Sequence, residues 1–415
     1  MTRILFVAIH YWPEITGNAP YTTMLAEHLA ERGHEVTVMA GMPHYPSGRI
    51  QRGYRGQLAL SEEHGGVEIR RRAHYVPGRQ TALRRAVYEA SFLLTGSLYA
   101  TGPQPDAIVG VSPSLSSAAL AAEFAARTRR PFGLILQDLM GRAAEQSGIA
   151  GGGAVAALTA TAEGWLARRA TSVGVVAPDF APYLHDHGVG ADQIVHLPNW
   201  THIAEPQGDR AAARLRLGWA EDETIVLHAG NMGLKQGLEQ IVEAAQAARS
   251  GFADLRFVLM GDGNQRSELE RLAAGLSNVD FRPFETPERF PDTLAAADIL
   301  LLSERPSVRD MSLPSKVTSY LAAGRPIVAA VGAGSATASL LRRSGAAVLA
   351  DAGDPHGMLR AIASIRDDPA TAERLGRAGR RFAATELSSG DGLERSTEFV
   401  EGIAAARGAV EHERR

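Results

Sequence analysis

The stretch TIVLHAGNMGLKQGLEQ, residues 224–240, combines three features of one kind of α/β unit. A short apolar run ends at Gly230, a turn carries Asn231 and Lys235, and the chain then becomes helical. Near-continuous apolar runs are expected where helices cover both faces of a strand. Glycine and lysine at the end of such a strand suit a loop that binds an anion. The alternative is a solvated lysine on an exposed turn.

The same succession of apolar run, turn and helix occurs in two series along the chain. Such runs predict buried parallel strands, and right-handed crossovers between them favour doubly wound sheets. The segment LPNWTHIAEPQGD, residues 197–209, shows no clear periodicity and predicts a linker between two domains. The predicted strands are residues 3–9, 35–40, 106–111, 132–137 and 172–177 in the first series, and 224–230, 255–261, 279–284, 298–303, 325–331 and 346–350 in the second.

We therefore predict an α/β protein with two Rossmann-like domains. The length of 415 residues exceeds what one hydrophobic core usually supports. The predicted boundaries are residues 1–198 for the first domain and residues 199–384 for the second. A helical segment, residues 385–415, follows and is expected to pack back towards the first domain. Within it, residues 396–408 are typical of an amphipathic helix.

Composition argues against several classes of protein. The formal net charge of -3 does not favour a nucleic-acid partner. The sequence has no cysteine, which excludes disulfides and thiolate metal sites. The apolar run ILFVAI, residues 4–9, is too short for a signal peptide, and other apolar stretches fall short of the roughly 20 residues that span a membrane. We expect a cytoplasmic protein, either free or in peripheral contact with the inner face of the membrane.

Loops at the carboxyl ends of strands hold the candidate site residues, because ligands of open α/β sheets bind there. Gly17 and Asn18 precede a helix whose N–H groups would attract an anion, although a plain turn is the alternative. The Asp138 carboxylate could act as a base, orient a hydroxyl group or cap the next helix. Two histidines near strand ends and an arginine after Asp138 could line an acceptor pocket; these are His10, His44 and Arg142.

The second series contains two more loops of this kind. Gly261 and Gly263 form a G-x-G turn, which is a weak signal for a nucleoside contact. Ser315 begins a helix after a proline, and its hydroxyl could cap that helix or bind an anion. The sequence lacks the G-x-G-x-x-G, Walker and G-x-S-x-G motifs, which argues against a nicotinamide enzyme, a P-loop kinase and a hydrolase.

Several stretches, taken in order, resemble the retaining GT-B glycosyltransferases of family 4, in particular the WcaI/WbuB-like group of colanic-acid and O-antigen enzymes. The resemblance covers most of the chain and is more specific for fold and class than for substrate. It implies two Rossmann-like domains that face each other across a cleft. The matching stretches are YWPEITGNAPYT (11–22), RGHEVTVMAGMPHYPSG (32–48), LQDL (136–139), LPNW (197–200), GNMGLKQGLE (230–239) and LPSKVTSYLAAGRP (313–326).

The resemblance also implies roles for individual residues. Lys235 and Asn231 should hold the donor diphosphate, and Gly17 should let it lie against the first domain. Asp138 should lie between donor sugar and acceptor, so Asp138 and Lys235 are the predicted catalytic residues. Ser319 occupies the position of one of two glutamates that many relatives have, and Met311 the other, with Glu304 and Asp310 nearby. The predicted donor site also includes Asn18, Gly261, Gly263, Arg282, Phe284, Ser315, Lys316 and Ser319.

The chemistry implied by the resemblance is front-face substitution, in which the departing phosphate helps to take the acceptor proton. No metal and no separate cofactor are expected. A UDP-sugar is the favoured donor, with GDP- and dTDP-sugars as alternatives. The acceptor is a lipid-linked saccharide for surface polysaccharide if the amphipathic segment 75–102 contacts a membrane, or a small natural product if that segment packs in the core. A nucleotide-sugar epimerase of the same fold and a non-catalytic sugar-nucleotide-binding subunit remain alternatives.

Overall fold

The computed structural model describes residues 1–15, 17–45, 47–78, 81–98, 104–146, 152–309 and 312–412. The chain forms two compact units. The first comprises Met1–Asn199, Asp310–Leu313 and Ser389–Arg415, and the second comprises Trp200–Arg309 and Pro314–Ser388. The chain therefore leaves the first unit, forms the second and returns to the first with its last helix.

The first unit contains an eight-stranded sheet flanked by helices. Its strands are β1 (Arg3–Ala8), β2 (Glu35–Gly41), β3 (Ala59–His64), β4 (Val67–Arg72), β5 (Ala107–Val111), β6 (Phe132–Leu136), β7 (Ser172–Val175) and β8 (Ile194–His196). Its helices before the second unit are α1 (Ala19–Glu31), α2 (Ala82–Ser97), α3 (Leu115–Thr128), α4 (Met140–Gln146), α5 (Gly152–Arg169) and α6 (Ala181–Asp186).

The second unit contains a six-stranded sheet. Its strands are β9 (Thr224–Ala229), β10 (Leu255–Met260), β11 (Val279–Arg282), β12 (Ile299–Ser303), β13 (Ile327–Val331) and β14 (Ala347–Asp351). Its helices are α7 (Arg210–Leu217), α8 (Glu239–Ala248), α9 (Arg266–Leu272), α10 (Phe290–Ala296), α11 (Lys316–Ala323), α12 (Ala336–Ser344), α13 (Pro355–Arg366) and α14 (Pro369–Glu386). The final helix of the chain, α15 (Ser389–His412), belongs to the first unit.

The strand order of each sheet is that of a doubly wound fold. The second sheet runs β11-β10-β9-β12-β13-β14, which is the order 3-2-1-4-5-6 of a Rossmann sheet. The first runs β3-β4-β2-β1-β5-β6-β7-β8, with β3 antiparallel to β4 and the other strands parallel. The order reverses between β1 and β5 in the first sheet and between β9 and β12 in the second. Ligands of such sheets bind beside those points, at the carboxyl ends of the strands.

Burial explains why the central strands are so apolar. Every residue of β5, β6, β12 and β13 is buried, as expected for parallel strands covered by helices on both faces. In the second unit, Val226, Phe257, Leu301 and Ile362 belong to one core between sheet and helices. The strands predicted from the apolar runs are confirmed to within a few residues.

Helix α15 packs against α1, β5, β6 and β7 of the first unit. Ile403 of this helix is buried, and a Cβ atom at Gly133 of β6 would collide with the Ile403 side chain. Two side chains of α15 pair with residues near the end of α1: Glu394 with Arg32 at 2.6 Å, and Glu401 with His34 at 3.1 Å. The absence of a side chain at Gly133 thus sets how closely the last helix approaches the sheet.

Three elements were not predicted or were bounded differently. The hairpin of β3 and β4 has a charged sequence, because Arg71 points inward, where it is fully buried, and pairs with Glu62. Strand β8 has three residues, too few for a pattern. The amphipathic helix predicted in the segment 75–102, with Arg84 and Arg85 at its start, is α2: it begins at Ala82, and Thr81 accepts a hydrogen bond from the Arg84 N–H. Residues 79, 80 and 99–102 lie outside the described residues.

Helix α15 begins at Ser389, seven residues before the predicted start at 396. The predicted linker, residues 197–209, contains no regular secondary structure, as expected. Among the described helices, none is long and apolar enough to cross a membrane.

Candidate functional site

The first unit brings several predicted residues together at the carboxyl edge of its sheet. His10 follows β1 and His44 follows β2, and their ring centroids lie 5.0 Å apart. A Cβ atom at Gly17 would meet the Tyr45 ring at 3.4 Å, and Gly17 has φ +71°, a conformation that favours glycine. The Tyr45 ring in turn contacts His10, with centroids 5.5 Å apart. Gly17, His10 and His44 therefore line one region.

Glu14 is the centre of the hydrogen bonds in this region. Its Oε2 lies 2.7 Å from the Nδ1 of His10. Its Oε1 accepts the backbone N–H groups of His44 and Tyr45, at 2.7 and 2.8 Å. The Tyr88 hydroxyl, on α2, lies 3.4 Å from the Nε2 atoms of both histidines. The loops after β1 and β2 are thus fixed to one buried carboxylate.

The electrostatics of this network favour an ionised Glu14 and a neutral His44. Burial alone would raise the pKa of Glu14, but the positive charge of the His10 ring when it is protonated, the hydrogen bond with that ring and the backbone N–H of His44 bring it below its ordinary value. Burial, and then the neighbouring His10, lower the pKa of His44 to about 4. Burial raises the pKa of Tyr88 far above 10, so its hydroxyl keeps its proton.

A second set of predicted residues lies at the ends of β5 and β6. The Asn18 amide donates to the Ser112 carbonyl at 2.9 Å. The Ser112 hydroxyl donates to the Asp138 carbonyl oxygen at 3.1 Å, and accepts the Gln137 N–H at 2.8 Å. Asp138 is half-buried, and after burial its charge is the next cause of the raised pKa of Tyr45. Ser112 therefore joins Asn18 and Asp138 at the reversal point of the first sheet.

Arg142 lies in the first turn of α4 and contacts one residue of α6 and one of its own helix. Its guanidinium is 5.2 Å from the centre of the Tyr183 ring and 3.1 Å from Glu145. The first N–H groups of α4, of Met140 and Gly141, donate to the buried Glu163 carboxylate of α5 at 2.7 and 3.0 Å. Glu163 thus caps α4, a role that the sequence left open for Asp138.

In the second unit, glycines allow the loops after β9 and β10 to pack on each other. Gly230, Gly261 and Gly263 have φ values of +141°, +137° and +157°, which favour glycine. A Cβ atom at Gly261 would collide with the Gly230 carbonyl oxygen, and one at Gly263 with the Met232 carbonyl oxygen. The G-x-G turn is therefore required by loop packing, whatever it binds.

Two lysines lie near one buried carboxyl group at this edge of the second sheet. The Lys316 Nζ lies 3.1 Å from the Nε2 of the buried His228, and 3.1 Å from where a Cβ atom would stand at Gly230. Burial lowers the pKa of Lys316 to about 7, although Glu304 opposes this. Burial raises the pKa of Glu304 to about 7, against the charges of Lys316 and Lys235. Lys235 itself is exposed.

The other predicted donor residues occupy different positions at the same edge. The Arg282 guanidinium is held by Asp280 at 2.6 Å and by the Leu217 carbonyl at 3.1 Å, and Phe284 is exposed. Ser315 precedes α11, and among the described N–H groups of that helix none donates to its hydroxyl. The capping role proposed for Ser315 was wrong. Asn231 is half-buried, Ser319 is buried in α11, and Asp310 and Met311 lie outside the described residues.

Several residues of these sites were not singled out from the sequence. Glu14 stands four positions after His10, a spacing that could have drawn attention to it. His228 ends the apolar run of β9, and its Nδ1 donates to the Leu301 carbonyl at 3.2 Å. Tyr88 and Ser112 could not have been found, since they come from α2 and from the loop after β5, far away in sequence. Their roles follow from the topology of the sheet.

His10, Glu14 and His44 also have the composition of a metal site, with potential ligand atoms within 4.8 Å of one another. However, both Glu14 oxygens already accept hydrogen bonds from His10, His44 and Tyr45. Two imidazole nitrogens remain, fewer than the three protein ligands of catalytic zinc or the four of structural zinc. We interpret the cluster as a hydrogen-bond network, and the absence of a metal stays a prediction.

Comparison with known proteins gives matches over most of the chain. A family model described as Glycosyl transferase 4-like domain matches residues 16–200, and one described as Glycosyl transferases group 1 matches residues 223–368. The chain is 33% identical over 338 residues to the colanic acid biosynthesis glycosyl transferase WcaI of Escherichia coli K12. That match covers 78% of this chain and 81% of the relative.

Solved structures with the same fold are glycosyltransferases of the GT-B type. Sucrose-phosphate synthase from Thermosynechococcus elongatus superposes with a TM-score of 0.74 at 18% identity, covering 97% of this chain and 100% of that one. Anabaena HepE in complex with UDP and glucose gives a TM-score of 0.70 at 16% identity, covering 97% and 100%. At these identities the likeness concerns the fold, which the GT-B prediction anticipated.

Proposed function

This chain belongs to the GT-B glycosyltransferases of family 4, in the WcaI-like group, and from that membership we propose that it moves a sugar from a nucleotide-sugar donor to a hydroxyl group of an acceptor, with retention of the anomeric configuration. The family matches favour a transferase over an epimerase of the same fold. UDP is the first candidate for the donor nucleotide, as in the HepE complex, and GDP and dTDP are the alternatives.

The observation that carries the donor site is the use of lysine. Lys235 and Lys316 are the two lysines of a sequence whose other side chains of fixed positive charge are all arginines. The charges of both lysines lower the pKa of Glu304, which lies at the carboxyl edge of the second sheet beside the point where strand order reverses. A lysine ammonium group acts as a compact point charge for a diphosphate. Lys316 already lies about 3.1 Å from where a Cβ atom would stand at Gly230, so the bulkier guanidinium of an arginine would not fit there.

In this proposal the second unit stabilises charge on the departing diphosphate. Lys235 contacts phosphate oxygens, and Lys316 adds positive charge when it is protonated. The start of α11, whose N–H groups the Ser315 side chain does not cap, adds the partial positive charge that favours anions at helix starts. Ser315 offers its hydroxyl beside them. For Asp138, Asn18 and Gly17, which all belong to the first unit, the contacts with sugar and diphosphate implied by the family resemblance stay predictions.

The proposed function is tested by ligand stabilisation and by transfer. We expect one of UDP, GDP and dTDP to raise the unfolding temperature selectively, because a ligand at 100 times its Kd adds about 2.7 kcal/mol of stability. The matching labelled sugar nucleotide should then lose its sugar to an acceptor, and NMR of the product should show the anomeric configuration of the donor. Nucleotide binding without any turnover would favour a non-catalytic subunit, and hydrolysis of the donor without transfer to any acceptor would contradict the proposed transfer.

Lys235→Ala provides the residue test. Loss of a hydrogen bond to a charged group costs about 1.5–3 kcal/mol, so the Kd of the nucleoside diphosphate should rise roughly 10- to 100-fold. Isothermal titration of the two proteins gives this ratio. Arg249→Ala, which removes an exposed cation elsewhere in the second unit, is the matched control and should leave the Kd unchanged. An equal Kd for Lys235→Ala and the wild type would remove Lys235 from the donor site.

The acceptor side of the proposal concerns a membrane. The outward face of α2 carries the apolar stripe Leu83, Val87, Ala90, Leu94, with Leu98 beyond the helix end, all exposed. Helix α5 exposes Val155, Leu158 and Trp165, and both helices pack on α3. Exposed arginines accompany both stripes, namely Arg84, Arg168 and Arg169.

We interpret these two stripes as the surface that contacts an anionic bilayer. Apolar side chains enter the headgroup region and arginines pair with anionic lipids. An acceptor presented there would be a saccharide on a lipid carrier, which is preferred here to a small natural product.

A further inference from the structure

The geometry of the first unit points to a specific receptor for one hydroxyl group. We propose that the Nε2 of His10, in a tautomer fixed by Glu14, accepts a hydrogen bond from a hydroxyl group of the acceptor saccharide. Glu14 is a positioning residue in this arrangement. The inference rests on the proposed function for the identity of the ligand.

The first step is the position of the ring protons. An ionised carboxylate accepts hydrogen bonds and cannot donate them, so the His10 Nδ1, 2.7 Å from Glu14 Oε2, carries a proton. The His44 Nδ1 lies 2.9 Å from the Met42 carbonyl oxygen, which also only accepts. Both rings therefore have their proton on Nδ1, and in neutral rings both Nε2 atoms are acceptors.

The second step is a count of donors. Within the described part of the chain, the Tyr88 hydroxyl is the hydrogen-bond partner of both Nε2 atoms. It has one proton, so it can satisfy one of them, and its 3.4 Å distance to each is long for an O–H···N bond. With both rings neutral, the cluster lacks one donor. A hydroxyl group brought by a ligand would supply it, because a polar group in a buried site strongly favours a partner.

The third step is access. The His10 side chain is 15% exposed, against 7% for His44 and 1% for Glu14. Tyr88 is buried. An incoming hydroxyl therefore reaches His10, while Tyr88 turns its proton to His44. The His10 ring also lies beside Tyr45, which adds an aromatic wall of the kind that sugars pack against.

The chemical class of the ligand follows from the polarity of the site. The free atom is a hydrogen-bond acceptor, so the site fits a hydroxyl donor. A phosphate, which only accepts when ionised, would leave the same deficit. The reacting hydroxyl in front-face transfer gives its proton to the departing phosphate, so His10 binds a neighbouring hydroxyl of the same saccharide and fixes which one is presented for reaction.

Glu14→Gln tests the proposal with little change of shape. The amide oxygen can keep the N–H groups of His44 and Tyr45, whereas the amide NH₂ faces His10 and drives its proton from Nδ1 to Nε2. Nε2 then becomes a donor. We expect the KM for the acceptor to rise roughly 10-fold, with kcat changed less than about 3-fold and donor Kd unchanged.

Three readouts separate a positioning role from a merely structural one. ¹⁵N NMR of labelled histidine should show His10 as the Nδ1–H tautomer in the wild type and as the Nε2–H tautomer in Glu14→Gln. His10→Ala should raise the acceptor KM similarly, and the double variant should be no worse than His10→Ala, since Glu14 acts through His10. Glu401→Gln, which alters another Glu–His pair of the same unit, is the matched control and should leave the acceptor KM unchanged.

The outcomes are distinct from those of the proposed function. Transfer by the wild type with an unaltered acceptor KM in Glu14→Gln, or an Nε2–H tautomer in the wild type, would overturn the inference and leave the transferase standing. Stabilisation by Zn²⁺ alone that His10→Ala abolishes would overturn it in favour of a metal site. Donor binding without transfer to any saccharide would instead contradict the proposed function, and the tautomer measurement would still decide the state of His10.

Discussion

At the scale of single residues, Glu304 is the group whose protonation most affects the second unit. It is 3% exposed, its Oε1 accepts the Thr337 hydroxyl at 2.8 Å, and its Oε2 is buried with no hydrogen-bond partner among the described residues. Burial raises its pKa from 4.5 to about 7. A raised folded-state pKa gives stability that is present below the unfolded pKa and is lost as pH rises from about 4.5 to about 7.

Glu304→Gln removes that loss. The variant should gain stability relative to the wild type as pH rises, by up to about 3 kcal/mol between pH 4.5 and pH 8, because Gln stays neutral. Urea unfolding at pH 5 and pH 8 measures the difference. Glu239→Gln, a more exposed carboxyl that pairs with Arg305 at 2.9 Å, is the control and should show little pH-dependent gain. A stability difference independent of pH would show that Glu304 is ionised throughout.

At the scale of elements, α2 has two faces with different tasks. Tyr88, Phe92 and Gly96 are buried, and Tyr88 reaches the histidines of the first unit. The opposite face carries the exposed leucines. A helix in water usually exposes its polar side, whereas α2 has apolar side chains on both its buried and its exposed face. A second apolar environment on the outside accounts for the exposed ones.

Leu83→Ser combined with Leu94→Ser should weaken binding to anionic phosphatidylglycerol vesicles roughly 30- to 1,000-fold, because each leucine contributes about 1–2 kcal/mol on leaving water. Vesicle sedimentation measures the partition coefficient. Leu58→Ser with Leu215→Ser removes two leucines that are exposed elsewhere, at 82% and 84%, and should have no effect. Equal binding of the two double variants, or no binding by the wild type, would contradict a membrane role for α2.

At the scale of the whole molecule, the final helix α15 packs on α1, β5, β6 and β7, which come from the first half of the chain. The contact that sets its position is Gly133 against Ile403. Gly133→Ala should cost about 1–3 kcal/mol of unfolding free energy by overpacking. Ile403→Val removes the methyl group that the new Cβ meets. The double variant should therefore lose less unfolding free energy than the sum of the losses in the two single variants.

Urea unfolding of the two single variants and the double variant gives the coupling energy. Gly402→Ala is the matched control, because a Cβ atom there meets open space within the same helix, and it should stabilise by up to about 1 kcal/mol. Strict additivity of Gly133→Ala and Ile403→Val would mean that α15 shifts freely and is not held by this contact.

The sequence by itself determined the fold class and the candidate loops. Apolar runs mark the central strands because a strand covered on both faces has no polar side, and the lysine at residue 235 and the glycines mark strand ends because those residue types suit tight turns and anions. Hairpin β3–β4 escaped prediction because its inward position is filled by Arg71, whose charge is satisfied by distant partners.

Only the tertiary structure decided which side chains act together. The tertiary structure sets the parallel strands β2, β1, β5 and β6 side by side with their carboxyl ends at one edge, which joins Glu14 to His10 and His44 and brings Tyr88 to them from α2. It also buries Glu304 and Lys316, and thereby moves their pKa values towards each other. Burial and long-range hydrogen bonds depend on the positions of neighbours that are distant in sequence, so no local pattern could have contained them.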